Sequence, residues 1–381
     1  MRLPIYLDYN ATTPVAKEVV DEMLPYLSLH FGNPSSNHIY SQKPNEALSK
    51  AREQIARLIN SSPEEIYFTS GGTECNNMVI KGVLKGKDLR NCHIITSAVE
   101  HPSVLNPLIE LMEAGLKVTF LPVDSNCIVD PESVSKAIQK DSLLVTIMHA
   151  NNETGVIQPI EEISRITREK GVLLHTDAAQ SVGKIAVNVN SLGVDLLTVA
   201  GHKFYAPKGI GALYIRSGVR ISPLLQGGGQ ERRLRPGTEN VPYCVALGKA
   251  AELAFSGLEG GEGERIRRLR DHFYQKVKEA IPGLVLNGHQ TKRLPNTLNI
   301  SIPRILASEL LSKVSGTFVA STGAACHDRD VSISHVLSAM GLKGERALGA
   351  IRVTFGRYNT LEESDLAAGA LIEAAHHLIS R

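Results

Sequence analysis

Residues 197–211 read LTVAGHKFYAPKGIG, and they place one lysine, Lys203, directly after a histidine and among small residues and glycines. The apolar run Leu196–Val199 before it predicts a short buried strand. A lysine amine becomes a nucleophile when burial and nearby cations lower its pKa, and it can then bond covalently to an aldehyde. Most lysines are solvated surface charges, so the meaning of Lys203 depends on its neighbours in the fold.

A carboxylate follows another predicted strand. In VLLHTDAAQS the apolar residues Val172–Leu174 predict a strand, and Asp177 lies at or just beyond its carboxyl end, where open α/β sheets bind ligands. With Lys203 it would suit pyridoxal phosphate, whose ring nitrogen stays protonated beside a carboxylate. Gln180 could donate to the ring oxygen. The alternative for Asp177 is the N-cap of a helix.

Two further stretches could complete such a site. YFTSGGTECNN predicts a strand over Ile66–Thr69, a tight turn at Gly71–Gly72 and a helix from about Thr73, whose free N–H groups suit a phosphate. Glycine is also used at such junctions for geometry alone. His101 follows a predicted strand over His93–Ala98 and could stack on a cofactor ring, although a lone histidine is more often structural.

The chain resembles the fold-type-I pyridoxal phosphate enzymes of the class V aminotransferase family, within them the group of cysteine desulfurases and selenocysteine lyases. The resemblance runs nearly end to end and is carried by LDYNATTP, FGNPSS, SGGTECNN, SAVEHPSV, ANNETG, HTDAAQ, GHKFYAPKGIGALYI, RPGTENVP, STGAACH and IRVTFGR.

The resemblance implies a role for each of several residues. Lys203 would bind the cofactor covalently, Asp177 would hold the ring nitrogen, Gln180 the ring oxygen, and His101 would stack on the ring. The phosphate would be bound by Gly72, Thr73 and His202, and by Thr238 from the partner subunit of a homodimer. Asn152 would lie near the ring oxygen and the substrate carboxylate, Arg352 would clamp that carboxylate, and Asn33 would border the substrate. Several relatives carry serine where this chain has Ala200, so one phosphate contact is expected to be missing.

Five cysteines, none in a CxxC pair, argue against a metal cluster or a disulfide framework and favour a reducing compartment. Cys326 differs from the others because it follows the predicted strand Phe318–Ala320 in a small, polar stretch that predicts a loop. His327 and Arg329 would lower its pKa, whereas Asp328 and Asp330 would raise it. The resemblance implies that Cys326 is the catalytic thiol.

Composition excludes several function classes. The formal net charge is +2 and no basic run is interleaved with aromatics, so nucleic acid is not expected as a partner. No apolar run approaches the roughly 20 residues that span a bilayer, and the N-terminus lacks a signal pattern. We therefore expect a cytoplasmic protein without a membrane partner and without a metal.

The spacing of short apolar runs predicts an α/β fold. The Gly/Glu-rich stretch 255–264, FSGLEGGEGE, predicts a hinge between helices and a domain boundary. Up to this hinge the apolar runs alternate with segments long enough for helices, which predicts a mainly parallel sheet. In the family this sheet has seven strands. We expect a large domain over 15–258 and a smaller α+β domain formed by 1–14 and 259–381, which would carry the Cys326 loop.

The expected activity is conversion of L-cysteine to L-alanine, with catalysis by Lys203, Cys326 and His101 and a persulfide left on Cys326. A selenocysteine lyase acting on L-selenocysteine is the nearest alternative, because VAGHKFYAPKGIGALYI, RPGTEN and AACH look closer to that branch. A general aminotransferase and a catalytically inactive scaffold are further alternatives. The sulfur would pass to an acceptor such as an iron–sulfur scaffold protein.

Overall fold

A seven-stranded sheet forms the centre of the larger part of the molecule. The computed structural model describes residues 3–322, 324–327 and 330–380, without the side chains of 324–327 and 330–332. The strands are β1 Ile5–Tyr6, β2 Ile66–Thr69, β3 His93–Ser97, β4 Lys117–Leu121, β5 Ser142–Thr146, β6 Leu173–Asp177, β7 Leu196–Ala200, β8 Gly211–Ile215, β9 Val285–Leu286, β10 Thr297–Ser301, β11 Phe318–Val319, β12 Ser321–Thr322, β13 Ala324–His327, β14 Asp330–Ile333 and β15 Ala350–Thr354.

Helices cover both faces of this sheet and one side of a smaller one. They are α1 Lys17–Met23, α2 Pro25–Ser28, α3 Ile39–Ile59, α4 Gly72–Leu84, α5 Pro102–Glu113, α6 Pro131–Ala137, α7 Ile160–Lys170, α8 Val189–Leu192, α9 Val241–Glu259, α10 Glu262–Ala280, α11 Ala307–Val314, α12 His335–Ala339, α13 Gly344–Leu348 and α14 Leu361–Ile379. Within the described part of the chain, no helix combines the length and the apolar character needed to cross a membrane.

The large sheet has the order β2-β8-β7-β6-β5-β3-β4. Every pairing is parallel except the two made by β8, which runs antiparallel to both of its neighbours. The strands β3, β7 and β8 are buried along their whole length, as expected for strands covered on both faces. The predicted, mainly parallel seven-stranded sheet is confirmed.

The topology positions the site. The strands β3, β6 and β7 run parallel, so their carboxyl ends lie at one edge of the sheet. His101 follows β3, Asp177 is the last residue of β6, and Lys203 lies in a short 3-10 helix directly after β7. Residues far apart in the sequence are thereby brought to one place.

The smaller part is built on the four-stranded sheet β12-β15-β10-β9 with α10, α11 and α14. Its core is a separate hydrophobic cluster that includes Phe273, Ile300 and Phe355. Near the N-terminus, β1 pairs in parallel with β11, and Leu7 lies in this core.

Two local expectations differ from the structure. Residues 255–259 belong to α9, so the break between α9 and α10 narrows to Gly260 and Gly261. The reason is burial: α9 packs on α3 and turns an alanine-rich face into the core. The stretch around Cys326, predicted as a loop, has a backbone that pairs β13 with β14 as an antiparallel hairpin.

Candidate active site

A cavity of about 450 Å³ opens at the carboxyl edge of the large sheet. This volume is in the usual range for small-molecule sites, about 300–1,000 Å³. Nine predicted site residues line it: Gly72, Thr73, His101, Asn152, Asp177, Gln180, His202, Lys203 and Arg352. Ala200 lines it as well. One cavity therefore collects most of the residues that the sequence singled out.

Lys203 reaches this cavity from the end of β7. Its Nζ donates to the backbone oxygens of Asn10 and Ala11, at 2.7 Å and 2.9 Å. Burial, together with the guanidinium of Arg352, lowers the pKa of Lys203 to about 8. Because burial disfavours the charged amine, a substantial neutral fraction exists near neutral pH, and the neutral form is the nucleophile.

Asp177 is fixed by partners on both of its oxygens. The Ala179 N–H donates to Oδ1 at 2.9 Å, and the Asn76 amide donates to Oδ2 at 2.8 Å. The residues after Asp177 form a turn, so the helix N-cap alternative does not hold. Asn76 is itself oriented by Thr198, whose hydroxyl donates to its Oδ1 at 2.7 Å. The carboxylate is thus held rigidly at a wall of the cavity.

His101 is a neutral imidazole with a defined tautomer. Its Nδ1 accepts from the Ser103 N–H at 3.1 Å and lies 2.8 Å from the Ser103 hydroxyl. The proton therefore resides on Nε2. Burial lowers the pKa of His101, against the opposing effect of Asp177, and the nearby Lys203 lowers it further. An uncharged, oriented ring is suited to stacking on an aromatic cofactor.

The glycine turn lies at the N-terminus of α4. Gly71 has φ +145° and ψ −178°, a conformation open essentially only to glycine. A Cβ placed on Gly72 would lie 3.4 Å from the Ala200 side chain, so this turn packs closely on the end of β7. The first N–H groups of a helix lack intrahelical acceptors and carry its positive dipole end, which favours an anion.

His202 lines the same cavity as this turn. The Thr12 hydroxyl lies 3.1 Å from its Nδ1. Burial and the neighbouring Lys203 lower the pKa of His202 to about 4, so the imidazole is neutral at physiological pH. It can offer a phosphate a hydrogen bond but not a positive charge.

Arg352 projects from β15 into the cavity. Its Nη2 donates to Asp8 Oδ1 at 2.7 Å and to the Ser321 hydroxyl at 2.9 Å, while Nη1 donates to the Asn152 carbonyl at 3.1 Å. The Nε of Arg352 is buried without a partner among the described residues. A buried donor without an acceptor costs free energy, so the Nε edge of the guanidinium is suited to bind an acceptor such as a carboxylate.

Three predicted residues are not brought to this cavity by the described part of the chain. Thr238 is exposed in the segment before α9, beside a separate depression of about 230 Å³ that Gly237 and Glu239 line. Asn33 is exposed, and its side chain accepts from the Ser35 N–H at 2.9 Å. The side chain of Cys326 lies outside the described residues.

Several residues of the site were not singled out from the sequence. Asn10 is the most connected: its Nδ2 donates to Thr297 Oγ1 and the Asn152 carbonyl, and its own carbonyl accepts from Lys203 and Gln180. Asn10 lies within the motif LDYNATTP, which was a signal that could have found it. Asn76 follows Thr73 by three residues on α4, which places both on one helix face.

A family model described as Aminotransferase class-V matches residues 5–366. The chain belongs to the class V aminotransferase family. It is 49% identical over 364 residues to the cysteine desulfurase IscS of Dictyoglomus turgidum, covering 95% of this chain and 92% of that protein. It is 46% identical over 363 residues to the IscS of Methanosarcina thermophila, covering 95% and 89%.

Solved structures agree with this class V assignment. A NifS-like protein superposes with a TM-score of 0.91 at 40% identity, covering 97% of this chain and 99% of that one. SspA in complex with cysteine superposes with a TM-score of 0.83 at 36% identity, covering 93% and 100%. The fold is that of the fold-type-I enzymes, and pyridoxal phosphate is the cofactor of this class V enzyme.

The residues in the cavity fit that cofactor. Each polar group of pyridoxal phosphate finds a chemically matched partner: an amine for the aldehyde, a fixed carboxylate for the ring nitrogen, amide donors for the ring oxygen, and a helix N-terminus for the phosphate. The neutral imidazole of His101 adds a flat surface for the ring.

Proposed function

We propose that the chain is a cysteine desulfurase, which converts L-cysteine to L-alanine and leaves the sulfur as a persulfide on Cys326. The observation that carries the proposal is the placement of Lys203, with its pKa lowered to about 8, in one cavity with Asp177 and Arg352. The two IscS relatives quoted above are named as cysteine desulfurases, at 49% and 46% identity.

Lys203 and Asp177 perform the acid–base part of the reaction. When bound, pyridoxal phosphate supplies an electron-withdrawing ring that weakens the bonds at the substrate Cα. Lys203 removes the Cα proton in its neutral form and returns a proton later, which a pKa near the working pH favours. Asp177, held by Asn76 and Ala179, keeps a proton on the ring nitrogen.

Arg352 and Asn152 orient the substrate. The unpaired Nε of Arg352 gives the substrate carboxylate a donor, and Asn152 lines the same wall. His101 holds the ring face, and its Nε2–H is the donor available to the substrate sulfur. These contacts set the direction from which a thiolate reaches that sulfur.

Cys326 completes the reaction. Its thiolate attacks the substrate sulfur, an S–S bond forms, and the C–S bond breaks with its electron pair left on the substrate carbon, which is then protonated to the methyl group of alanine. The two sulfurs are oxidised while that carbon is reduced, so no external oxidant is required. One cysteine and one thiol give one alanine and one persulfide.

The proposal includes a partner subunit, a sulfur acceptor and a cellular location. The protein acts as a homodimer in which Thr238 of each chain reaches the partner's phosphate site, in line with its exposure outside its own cavity. The persulfide sulfur passes to an acceptor such as an iron–sulfur scaffold protein. The four described free cysteines are buried, as suits thiols in the cytoplasm, where we place the protein.

The test traps the covalent lysine. Borohydride reduction of the enzyme with its cofactor, followed by peptide mapping, should label Lys203 and not the nearby Lys184. Lys203→Ala should abolish alanine formation from L-cysteine, and Cys326→Ala should abolish persulfide. If Cys326→Ala loses turnover on cysteine but keeps it on selenocysteine, the enzyme has both capacities. Turnover that depends on a keto acid would instead support the aminotransferase alternative.

A further inference from the structure

A second lysine lies directly behind the cavity. Lys184 is partly buried, and its Nζ donates to Gln180 Oε1 at 2.6 Å and to Asn10 Oδ1 at 2.9 Å. Unlike Lys203, it is not among the residues that line the 450 Å³ cavity. It borders a small cavity of about 20 Å³ behind Lys203. Lys184 therefore approaches the site from the rear and touches the substrate side only through Gln180 and Asn10.

This lysine has no carboxylate partner within the described residues. Lys203 and Arg352, both cations, act on its charge. Glu262 shares the small cavity with it, and a wider surface depression beside it is also lined by Glu264, Arg267, Arg270 and Asp271. Burial, Lys203 and Arg352 lower the pKa of Lys184 well below 10.5. A partly buried lysine without a counter-ion is costly, which makes a purely packing role a poor explanation of its presence.

The contacts of Lys184 determine the orientation of one amide. A lysine nitrogen bonded to two acceptors acts as donor to both, so the oxygen of Gln180 must face Lys184. On the other side, Gln180 Nε2 donates to the Asn10 carbonyl at 3.0 Å, and a carbonyl can only accept. The amide nitrogen carries two N–H groups, and Asn10 uses one. The second N–H remains for an acceptor in the cavity that Gln180 lines.

We propose that Lys184 is a positioning residue that holds the amide of Gln180 with its N–H donors toward the ring oxygen of pyridoxal phosphate. The inference rests on the proposed function, because it assigns the ring oxygen to Gln180. Lys184 acts through Gln180 and does not itself touch substrate or cofactor.

The test measures the bound cofactor and not turnover alone. In Lys184→Met the side chain keeps its bulk but cannot donate, so the ring oxygen loses stabilisation. The affinity for pyridoxal phosphate, measured by titrating the cofactor-free protein, should fall about tenfold. The pH midpoint of the bound cofactor's absorbance should rise by about one unit, because N–H donors favour the negative ring oxygen.

A double-mutant cycle decides whether the effect passes through Gln180. If it does, Lys184→Met added to Gln180→Ala changes the affinity and the pH midpoint no further than Gln180→Ala alone. Additive effects of the two substitutions would overturn the proposal. Asn296→Ala is the matched control. Like Lys184, Asn296 donates to Asn10 Oδ1, at 2.9 Å, but it has no hydrogen bond to Gln180. This variant should leave the midpoint unchanged.

Failure of the wider function has a different signature. If the wild-type protein bound no pyridoxal phosphate or made no alanine, the proposed function would fail before any variant was compared. A wild type that is active, with a Lys184→Met variant of equal thermal stability, equal cofactor affinity and an unchanged midpoint, would refute the role of Lys184 alone.

Discussion

At the scale of single residues, the site depends on burial to set protonation states. Burial and the guanidinium of Arg352 disfavour the charge of Lys203, and burial likewise keeps His101 and His202 neutral. Asp177 is held instead by two directed hydrogen bonds. The two imidazoles are thereby neutral near neutral pH, and a fraction of Lys203 is in the neutral form that reacts.

The first prediction concerns the rate at which cofactor-free protein takes up pyridoxal phosphate. The neutral amine of Lys203 is the nucleophile and its pKa is lowered to about 8, so the rate should rise tenfold per pH unit below pH 8 and level off above it. Stopped-flow absorbance between pH 6.5 and 9.5 measures this. A rate that still rises steeply above pH 9 would show that the reacting lysine is an ordinary, solvated one. Lys208→Met is the control variant, because Lys208 is an exposed lysine close to Lys203 in the sequence.

At the scale of elements, the segment that carries Cys326 is fixed at both ends to the active site. Before it, the Ser321 hydroxyl accepts from Arg352. After it, the Ser334 hydroxyl donates to Glu153 and caps α12, and His335 contacts the Glu100 carbonyl at 2.9 Å. The hairpin β13–β14 is thus connected to Arg352, the proposed substrate clamp, on one side and to Glu100, the residue next to His101, on the other.

Ser334→Ala should therefore slow delivery of the thiol more than binding of the substrate. The change removes the bond to Glu153 and a helix cap worth about 1 kcal/mol. We expect persulfide formation to slow roughly tenfold, equivalent to 1.4 kcal/mol in the barrier, while the absorbance change on cysteine binding keeps its concentration dependence. Rapid-quench measurement of persulfide gives the first rate.

The control for this variant is another helix cap. Thr360 caps α14 by accepting from the Glu363 N–H at 3.1 Å, away from the cavity. Thr360→Ala should lower thermal stability to a similar extent and leave persulfide formation unchanged. Equal slowing in both variants would mean that Ser334 acts only on the stability of the fold.

The sequence predicts the bounds of some helices and strands, but it does not predict all of the contacts in the site. β2 begins and ends at the predicted residues, Ile66 and Thr69, because a local apolar pattern defines it. The end of α9 was missed because its continuation depends on packing against α3, which no local pattern reveals. The contacts of Asn10 could not be predicted either, since Asn10 and Thr297 lie 287 residues apart in the sequence.

At the scale of the whole molecule, we propose a large domain, 15–258, and a small domain, 1–14 with 259–381, and three of the four hydrophobic clusters lie mainly on one side of this division. Two clusters flank the large sheet and a third fills the small part. A fourth joins Val99, Cys127 and Val156 of the large part to Val336 and Leu337 of α12. We propose these boundaries because the chain passes from the core of the large part to the core of the small part at the break between α9 and α10.

The shared site of the proposed homodimer can be tested by mixing two variants. Lys203→Ala should be inactive, and Thr238→Ala should lose part of its activity through weaker phosphate binding. In a hybrid dimer one site would have both defects and the other neither, so an equal mixture after subunit exchange should recover about a quarter of the wild-type sites. Activity no greater than the average of the two parents would place Thr238 in the site of its own chain.

The bond between Arg352 and Asp8 has a consequence for selectivity. A guanidinium that already neutralises one acid within the protein attracts a second acid only weakly, so a free amino acid arrives at a clamp with little charge left to offer. Alanine, serine and cysteine carry the same backbone carboxylate and must therefore bind with nearly equal affinity. Discrimination among them then depends on the later reaction between the substrate side chain and the thiol, in which sulfur or selenium is transferred and the serine oxygen is not.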